Sequence, residues 1–171
     1  MKRLYLLRHA KSDWADPALD DFDRPLNGRG LKSASAMGRY MRREGLIPAL
    51  VLCSPSRRTR QTWELLAGGL KAEPAVRYAD DLYLAEPARL LKQIGQAPED
   101  LPSLLVIAHN PGLQALAHRL AGGGDKAGRR RMATKYPTGA LAVLDCDVAA
   151  WDQLAAGLCV LERFVAPRDL N

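Results

Sequence analysis

Short apolar runs recur along the chain and stop abruptly at polar or turn-forming residues. Runs of roughly four to eight apolar residues are typical of strands that are buried on both faces of a parallel sheet. The first run ends at Arg8-His9, and a later run ends at His109-Asn110. The pattern predicts strands at 3–8, 49–53, 104–108, 139–144 and 158–165, and a weaker strand at 76–79.

Two helices are predicted between the first strands. Asn27 can cap a helix of about 17 residues that ends near Gly45. Ser54 is a capping serine, and Pro55 follows it at the first helical position of a second helix that ends at Gly68-Gly69. The apolar residues of the first helix have the spacing of one buried face: Leu31, Ala34, Met37 and Met41.

Two further helices are predicted farther along the chain. Pro87 begins a short helix that ends at Gly95. In the other, Asn110 is the predicted N-cap, Pro111 is the first residue, and the helix continues through Leu120. We expect loops at 10–26 and 122–138, the second of them long, basic and rich in glycine, and a turn or short helix at Trp151.

Strands and helices alternate, and no repeat, low-complexity tract or long linker interrupts them. This alternation predicts an α/β fold of three layers (α/β/α), in which helices cover both faces of a mostly parallel central sheet. The 171 residues suffice for one domain with a full core, so we expect a single domain over 1–171. A hydrophobic share of 47% and a charged share of 26% favour a globular chain over a disordered one.

Polar side chains follow three of the predicted strands. They are Arg8-His9, then Ser54 with Arg57-Arg58 on the helix behind it, then His109-Asn110. Because ligands of open α/β folds bind outside the carboxyl ends of the strands, we expect these side chains to share one site. Helix N-termini and arginine side chains both favour anions, and the arginine fork matches phosphate oxygens. The arrangement predicts a site for a phosphoryl group.

The formal net charge of +6 also favours an anionic partner. Basic residues concentrate at 39–43, 57–60 and 129–135. Phosphate, an acidic protein and nucleic acid are all compatible with this charge. Nucleic acid is the least favoured of the three, because no helix-turn-helix, zinc or aromatic stacking pattern accompanies the basic residues.

The three cysteines predict an intracellular protein. Cys53, Cys146 and Cys159 are odd in number, far apart and flanked by apolar residues, so we expect reduced core thiols and a cytoplasmic location. We expect no cofactor and no metal, because His9 and His109 have no metal-ligand spacing with any cysteine. No apolar stretch approaches the roughly 20 residues of a membrane span, and the N-terminus lacks a signal-peptide pattern, so we expect no membrane partner.

A histidine beside arginines can act as a nucleophile. The guanidinium charges disfavour imidazolium, which lowers the pKa and keeps one ring nitrogen free. Attack by His9 on phosphorus would give a phosphohistidine intermediate that water then hydrolyses. Arg8, Arg58 and, if protonated, His109 could stabilise the transferring group without magnesium.

The motifs around these residues resemble the histidine phosphatase (phosphoglycerate mutase-like) superfamily. Leu7-Arg8-His9-Ala10 resembles its Arg-His-Gly signature, and 54–62 resembles its second motif, whose arginine four residues after the serine contacts phosphate. The resemblance therefore implies that role for Arg58, with Arg57 as the rival. Ile107-Ala108-His109-Asn110 resembles the late histidine motif of the superfamily.

Further segments resemble the SixA-type branch of phosphohistidine phosphatases, and they cover nearly the whole chain in order. Ala10 departs from the usual glycine after the nucleophile. The 46 residues between Thr62 and His109 leave little room for the lid insertion of mutases and sugar phosphatases, so we expect none. The segments are 8–14, 23–27, 109–112 and 137–141.

The same interval lacks a convincing proton donor for the leaving group. Asp80, Asp81 and Glu86 are the nearby acids, and none lies in a recognisable motif. An alkoxide leaves poorly without a general acid, whereas an imidazole protonated on its other nitrogen leaves as a neutral molecule. This difference favours phosphohistidine on proteins as substrate. The alternatives are a small-molecule phosphatase of the same superfamily and a phosphate-binding module without turnover.

Other polar residues have less specific predicted roles. Ser12, Asn110 and Arg57 are candidate substrate-binding residues, although Ser12 could equally serve a loop turn and Arg57 could be a solvated helix charge. Asp23 and Arg24 could form an ion pair that braces the loop. The basic stretch 129–135 is either a solvated surface or a docking patch for an acidic partner.

Overall fold

The computed structural model describes residues 1–170, in which seven strands form one sheet in the order β3-β2-β4-β1-β6-β7-β5. Strand β6 is antiparallel to its neighbours β1 and β7, and the other pairings of this sheet are parallel. The predicted mostly parallel sheet is therefore confirmed. The strands are β1 Lys2–Arg8, β2 Leu50–Cys53, β3 Ala75–Tyr78, β4 Ser103–Ala108, β5 Ala121–Gly124, β6 Leu141–Cys146 and β7 Cys159–Val165.

Helices cover both faces of the sheet, as predicted for a three-layer fold. Short 3-10 turns lie at Asp21–Asp23, Asp80–Leu82, Trp151–Gln153 and Pro167–Leu170, and the third of these contains the Trp151 of the predicted turn. The helices are α1 Gly28–Arg43, α2 Arg57–Leu70, α3 Pro87–Gly95, α4 Gly112–Leu120 and α5 Lys126–Thr134.

Alternate residues of each central strand enter different cores, because successive side chains of a strand point to opposite faces. Leu4 and Leu6 of β1 pack in the cluster that includes apolar residues of α3, α4 and α5. Tyr5 and Leu7 pack in the cluster formed with α1 and α2. Both faces of β1 are buried, which explains why its sequence is an unbroken apolar run.

The register of the parallel strands brings three strand ends together. Arg8 of β1 pairs with Ala108 of β4, and Cys53 of β2 pairs with Ile107 of the same strand. The residues that follow are held in the same arrangement: the His9 amide donates to Ala108 O (3.2 Å), and the Ser54 amide donates to Ile107 O (3.0 Å). The predicted edge of the sheet therefore exists.

Two helices begin later than predicted. Ser56, and not Ser54, caps α2, and its hydroxyl accepts from the Thr59 amide. The Ser54 hydroxyl is instead hydrogen-bonded to a histidine of the neighbouring strand end, a contact that local sequence does not reveal. Likewise α4 begins at Gly112 and not at Pro111; the Asn110 side chain accepts from the Gln114 amide but also donates across the fold to Tyr136 O.

The predicted loop at 122–138 is wrong. Most of it forms β5 and α5. The glycines of β5 allow its backbone to approach β7 closely: a Cβ built on Gly124 (φ +96°) would lie 2.2 Å from Leu161 O. Helix α5 escapes detection because Gly128 and Met132 are its buried residues and most of the others are polar.

The prediction of reduced cysteines is wrong for two of the three. Cys146 and Cys159 face each other on the antiparallel pair β6 and β7, and they form a disulfide. Their separation of 13 residues conceals this pairing in the sequence. Cys53 is a buried free thiol. The cytoplasmic location stays a prediction.

The chain between α2 and β4 is short, as expected for a fold without a lid insertion. It contains β3, the 3-10 turn Asp80–Leu82 and α3, and α3 packs against α4. In residues 1–170, no helix has the length and apolar character needed to cross a membrane.

Candidate active site

His9 lies directly after β1 and is almost fully buried. Its Nδ1–H donates to the carbonyl oxygen of Ala10 (2.7 Å), so the lone pair of the neutral ring is on Nε2. The backbone here is clamped by the Gly139 amide, which contacts Arg8 O (3.0 Å) and His9 O (2.8 Å). Gly139 has φ +76°, a conformation that favours glycine. The ring is therefore held in one tautomer and one orientation.

His109, which follows β4, faces His9 with 5.4 Å between the ring centroids. Arg58 Nη2 donates to His109 Nδ1 (3.3 Å), because a guanidinium has no acceptor. The ring then carries its proton on Nε2, which lies 2.7 Å from Ser54 Oγ. The three strand ends and the first turn of α2 thus meet in one buried cluster.

Arg58 is fixed by a residue of the first 3-10 turn. Its guanidinium donates to the backbone oxygen of Asp21 (2.7 Å) and to the Asp21 carboxylate (3.0 Å). Tyr83 donates its hydroxyl to the same carboxylate, and its ring contacts His109 edge-on at 5.3 Å. Burial alone would raise the pKa of Asp21, but the bonds from Tyr83, Arg24 and Arg58 hold that pKa well below its ordinary value. Asp21 is therefore an anion at neutral pH.

Arg24 joins this network from the other side and is buried, unlike most arginines. Its guanidinium donates to the Asp21 carboxylate (2.7 Å) and to Ser12 Oγ (2.8 Å), and it stacks on the Trp14 ring at 3.5 Å. The predicted ion pair between Asp23 and Arg24 is wrong. In a 3-10 turn the carboxylate three residues before the arginine is the one within reach.

Arg8 is the second arginine close to the histidines. Its Nη1 donates to Tyr136 O (2.9 Å), and Asn110 Nδ2 donates to the same oxygen (3.2 Å). Burial, and after it the charge of Arg58, lower the pKa of Arg8. Within residues 1–170, the buried Nε–H groups of Arg8 and Arg58 have no hydrogen-bond partner. Two partly desolvated cations at this edge favour an anion.

Both histidines are neutral over most of the pH range. Burial lowers the pKa of His9 to about 3; the bond to Ala10 O opposes this, and the charges of Arg58 and Arg8 add to it. Burial also lowers the pKa of His109 to about 3, followed by the effects of His9 and Arg58, while Asp21 opposes them. A protonated His109, one of the sequence-based options, is therefore not the state of the free protein.

Within the described residues, the remaining predicted residues form no hydrogen bond with His9 or His109. Arg57 is exposed and donates to Asp23 O at 3.5 Å. Ser12 is buried, and its hydroxyl accepts a hydrogen bond from Arg24. The acid candidates Asp80, Asp81 and Glu86 are all exposed. In the described part of the chain, no group of three or more His, Cys, Asp or Glu side chains could hold a metal ion.

Sequence reasoning missed Asp21 and Tyr83 and gave Arg24 the wrong partner. Asp21 is one of several aspartates in the polar segment 10–26, and nothing local distinguishes it. Tyr83 lies between Thr62 and His109, and no local motif marks its hydroxyl as part of the site. The one usable signal was Asp23-Arg24-Pro25-Leu26-Asn27, which resembles a branch motif and places Arg24 close to the site.

The similarity of this chain to known proteins agrees with the geometry. A family model described as the histidine phosphatase superfamily (branch 1) matches residues 4–82. An uncharacterized protein of Mycobacterium tuberculosis strain H37Rv is 39% identical over 166 residues, which cover 95% of this chain and 100% of that protein.

Two solved structures carry the similarity to the whole fold. The protein from Agrobacterium tumefaciens, provisionally named phosphohistidine phosphatase SixA, is 30% identical with a TM-score of 0.82, covering 97% of this chain and 98% of that one. The protein of the same provisional name from Nakamurella multipartitia is 29% identical with a TM-score of 0.83, covering 97% and 96%. The chain therefore belongs to the histidine phosphatase superfamily and is a phosphatase of the SixA type.

Proposed function

We propose that this phosphatase acts through a phosphohistidine intermediate on His9 and removes phosphoryl groups from phosphohistidine on proteins. The observation that carries the proposal is the neutral His9 ring, whose Nδ1–H is committed to Ala10 O and whose Nε2 keeps its lone pair. A nucleophile of this kind needs no base to remove a proton before it attacks.

The chemistry has two steps with His9 Nε2 as the carrier. Nε2 attacks phosphorus, and the bond between phosphorus and the leaving group breaks with its electron pair on the leaving group. Water then attacks the phosphorus of phospho-His9, the P–N bond breaks, and its electron pair returns to Nε2 while the water proton passes to the solvent. Arg8 and Arg58 donate to the phosphoryl oxygens through both steps, and His109 does so once the negative charge of the bound phosphoryl group lets it take up a second proton.

The state of the acids supports phosphohistidine over a sugar phosphate. Asp21 is the carboxylate within this network, and its lowered pKa leaves it without a proton to give. A substrate imidazole protonated on its other nitrogen leaves neutral and needs no such proton, whereas an alkoxide does. We include in the proposal that the reaction needs no metal, because the guanidinium groups of Arg8 and Arg58 supply the charge stabilisation.

The test is capture of the phosphoenzyme. The native protein is mixed with phosphoramidate or with a phosphohistidine peptide and quenched in base. A phosphohistidine is stable in base, and acid hydrolyses it. We expect the protein-bound phosphoryl group to be absent in His9→Ala and present in the matched variant His118→Ala, which removes an exposed histidine of α4. A phosphoenzyme that still forms in His9→Ala would reject His9 as the nucleophile.

A hydrolysis panel separates the substrate classes. We expect turnover of phosphohistidine peptide and phosphoramidate in the presence of EDTA. Turnover of sugar phosphates is expected to be about 100-fold or more slower, the lower end of what general acid catalysis contributes. Fast hydrolysis of a sugar phosphate with no turnover of the peptide would establish the small-molecule alternative. Phosphate binding without turnover of any substrate would establish a binding module.

A further inference from the structure

A basic groove adjoins the histidine cluster, and apart from Arg8 its residues are not used by the proposed chemistry. It has a volume of about 920 Å³ and is lined by residues of α1, α5 and the ends of β1 and β7. Arg8 lines the groove, directly precedes His9 in the chain and shares the acceptor Tyr136 O with Asn110, the neighbour of His109. The groove is therefore continuous with the place where a phosphoryl group would bind.

The charge of the groove has a single sign. Within residues 1–170, no aspartate or glutamate lines it. Arg131 forms an ion pair with Asp169 (2.6 Å), whereas the described residues include no carboxylate partner for the others. Besides Arg8, the cationic residues of its wall are Lys11, Arg29, Arg130, Arg131, Lys135 and Arg168.

The wall formed by α5 is anchored to the active-site side of the fold. Gln114 of α4 donates to Met132 O (2.9 Å), and Met132 itself is buried. The following Tyr136 is buried too, and its carbonyl oxygen accepts from both Arg8 and Asn110. The basic side chains of α5 thus project from a backbone that is fixed relative to Arg8.

The type of cation indicates the type of ligand. Pockets for small ligands are mostly apolar and hold a few fixed polar groups. This groove is open instead, and its positive charges are at the ends of long, exposed side chains: Lys11, Arg29, Arg130, Lys135 and Arg168. Exposed charges of one sign steer and align an extended surface of opposite sign. Such a wall fits an acidic polypeptide better than a compact anion.

We propose that the groove binds an acidic segment next to the phosphorylated histidine of a substrate protein, while the phosphohistidine itself enters the site at His9. This inference rests on the proposed function and names the class of protein on which it acts. The segment carries several aspartates or glutamates close to the phosphorylated residue. Its contribution is to binding and to the rate of encounter, not to the chemical step.

The test uses two phosphohistidine peptides and phosphoramidate. One peptide has aspartates and glutamates beside the phosphohistidine, and the other has asparagines and glutamines in their place. Phosphoramidate is the substrate that has no flanking residues. We expect the native protein to have a KM for the acidic peptide about fivefold or more below that for the amide peptide, a difference that salt reduces. Arg130→Ala/Lys135→Ala is expected to remove this difference and to leave phosphoramidate turnover unchanged.

Arg39→Ala/Arg42→Ala, which removes two exposed arginines from the C-terminal half of α1, is the matched control for net charge and is expected to keep the peptide preference. Equal KM values for the two peptides with native protein, or equal losses in both double variants, would overturn the inference. Stronger competition by tripolyphosphate or duplex DNA than by an unphosphorylated acidic peptide would also overturn it, in favour of those ligands.

Failure of the proposed function gives a different result. If the native protein hydrolyses neither phosphoramidate nor the peptides, the proposed chemistry fails. The groove is then judged from direct binding of the unphosphorylated acidic peptide, measured by fluorescence anisotropy. Binding that Arg130→Ala/Lys135→Ala weakens supports the groove as an acidic docking site, and no binding rejects it.

Discussion

Arg58, which is proposed to bind phosphate, is already paired with the carboxylate of Asp21. Asp21 bonds to two arginines, Arg24 and Arg58, and its low pKa keeps it charged. The carboxylate orients both guanidinium groups, but it also repels a phosphate ion that approaches them. Charge and orientation oppose each other at this residue, and a substitution can separate them.

Asp21→Asn is expected to strengthen inhibition by inorganic phosphate about fivefold, because it removes the repelling charge and keeps one of the two oxygens that accept from Arg24 and Arg58. The inhibition constant of inorganic phosphate measures this directly. Asp23→Asn is the matched control: it makes the same charge change at an exposed residue that is not paired with Arg58. Weaker phosphate inhibition in Asp21→Asn would mean that the carboxylate acts mainly by orienting the arginines.

At the scale of single elements, the sequence predicts the strands that contain apolar runs and misses the glycine-rich strand β5. Strands β1 and β4 are buried on both faces and were recognisable as apolar runs. The glycines of β5 carry no hydrophobic pattern, so the strand is visible only through its pairing with β7. The predicted first residues of α2 and α4 are wrong for a similar reason, because Ser54 and Asn110 have hydrogen-bond partners on other elements.

Gly124 of β5 gives an element-level prediction. Gly124→Ala is expected to lower the free energy of unfolding by about 2 kcal/mol or more, because φ is +96° and the added Cβ would meet the Leu161 backbone. Gly123→Ala is the control, since its Cβ would make an ordinary contact of 3.6 Å with Val160, and it should change stability by less than about 1 kcal/mol. Urea unfolding measures both; equal effects would contradict the close approach of β5 to β7.

At the scale of the whole molecule, the sheet edge was predictable and the network around it was not. The carboxyl ends of neighbouring parallel strands lie at the same edge of a sheet. The proximity of His9, His109 and Arg58 was therefore predictable from three apolar runs and the polar residues that follow them. The partners of Arg58 and of His109 depend on how distant segments fold against each other. Local periodicity contains no information of that kind.

Burial of two neutral histidines links the stability of the whole molecule to pH. His9 and His109 have pKa values of about 3 in the folded protein, whereas an unfolded histidine has a pKa of about 6.5. Between these values the unfolded chain binds protons that the folded protein does not, so the free energy of unfolding falls as the pH is lowered. The slope approaches about 1.4 kcal/mol per pH unit for each histidine.

The double variant His9→Gln/His109→Gln is expected to show a shallower loss of stability between pH 6 and pH 4.5 than the native protein, as measured by urea unfolding at each pH. His118→Gln, at an exposed position of α4, serves as the control and should keep the native slope. Saturating phosphate, which is mainly a monoanion in this pH range, should also flatten the native profile, because its bound negative charge raises the pKa of His109 and lets the folded protein take up a proton. Equal slopes in the native protein and the double variant would show that other groups control acid unfolding and that the histidines are not buried as neutral rings.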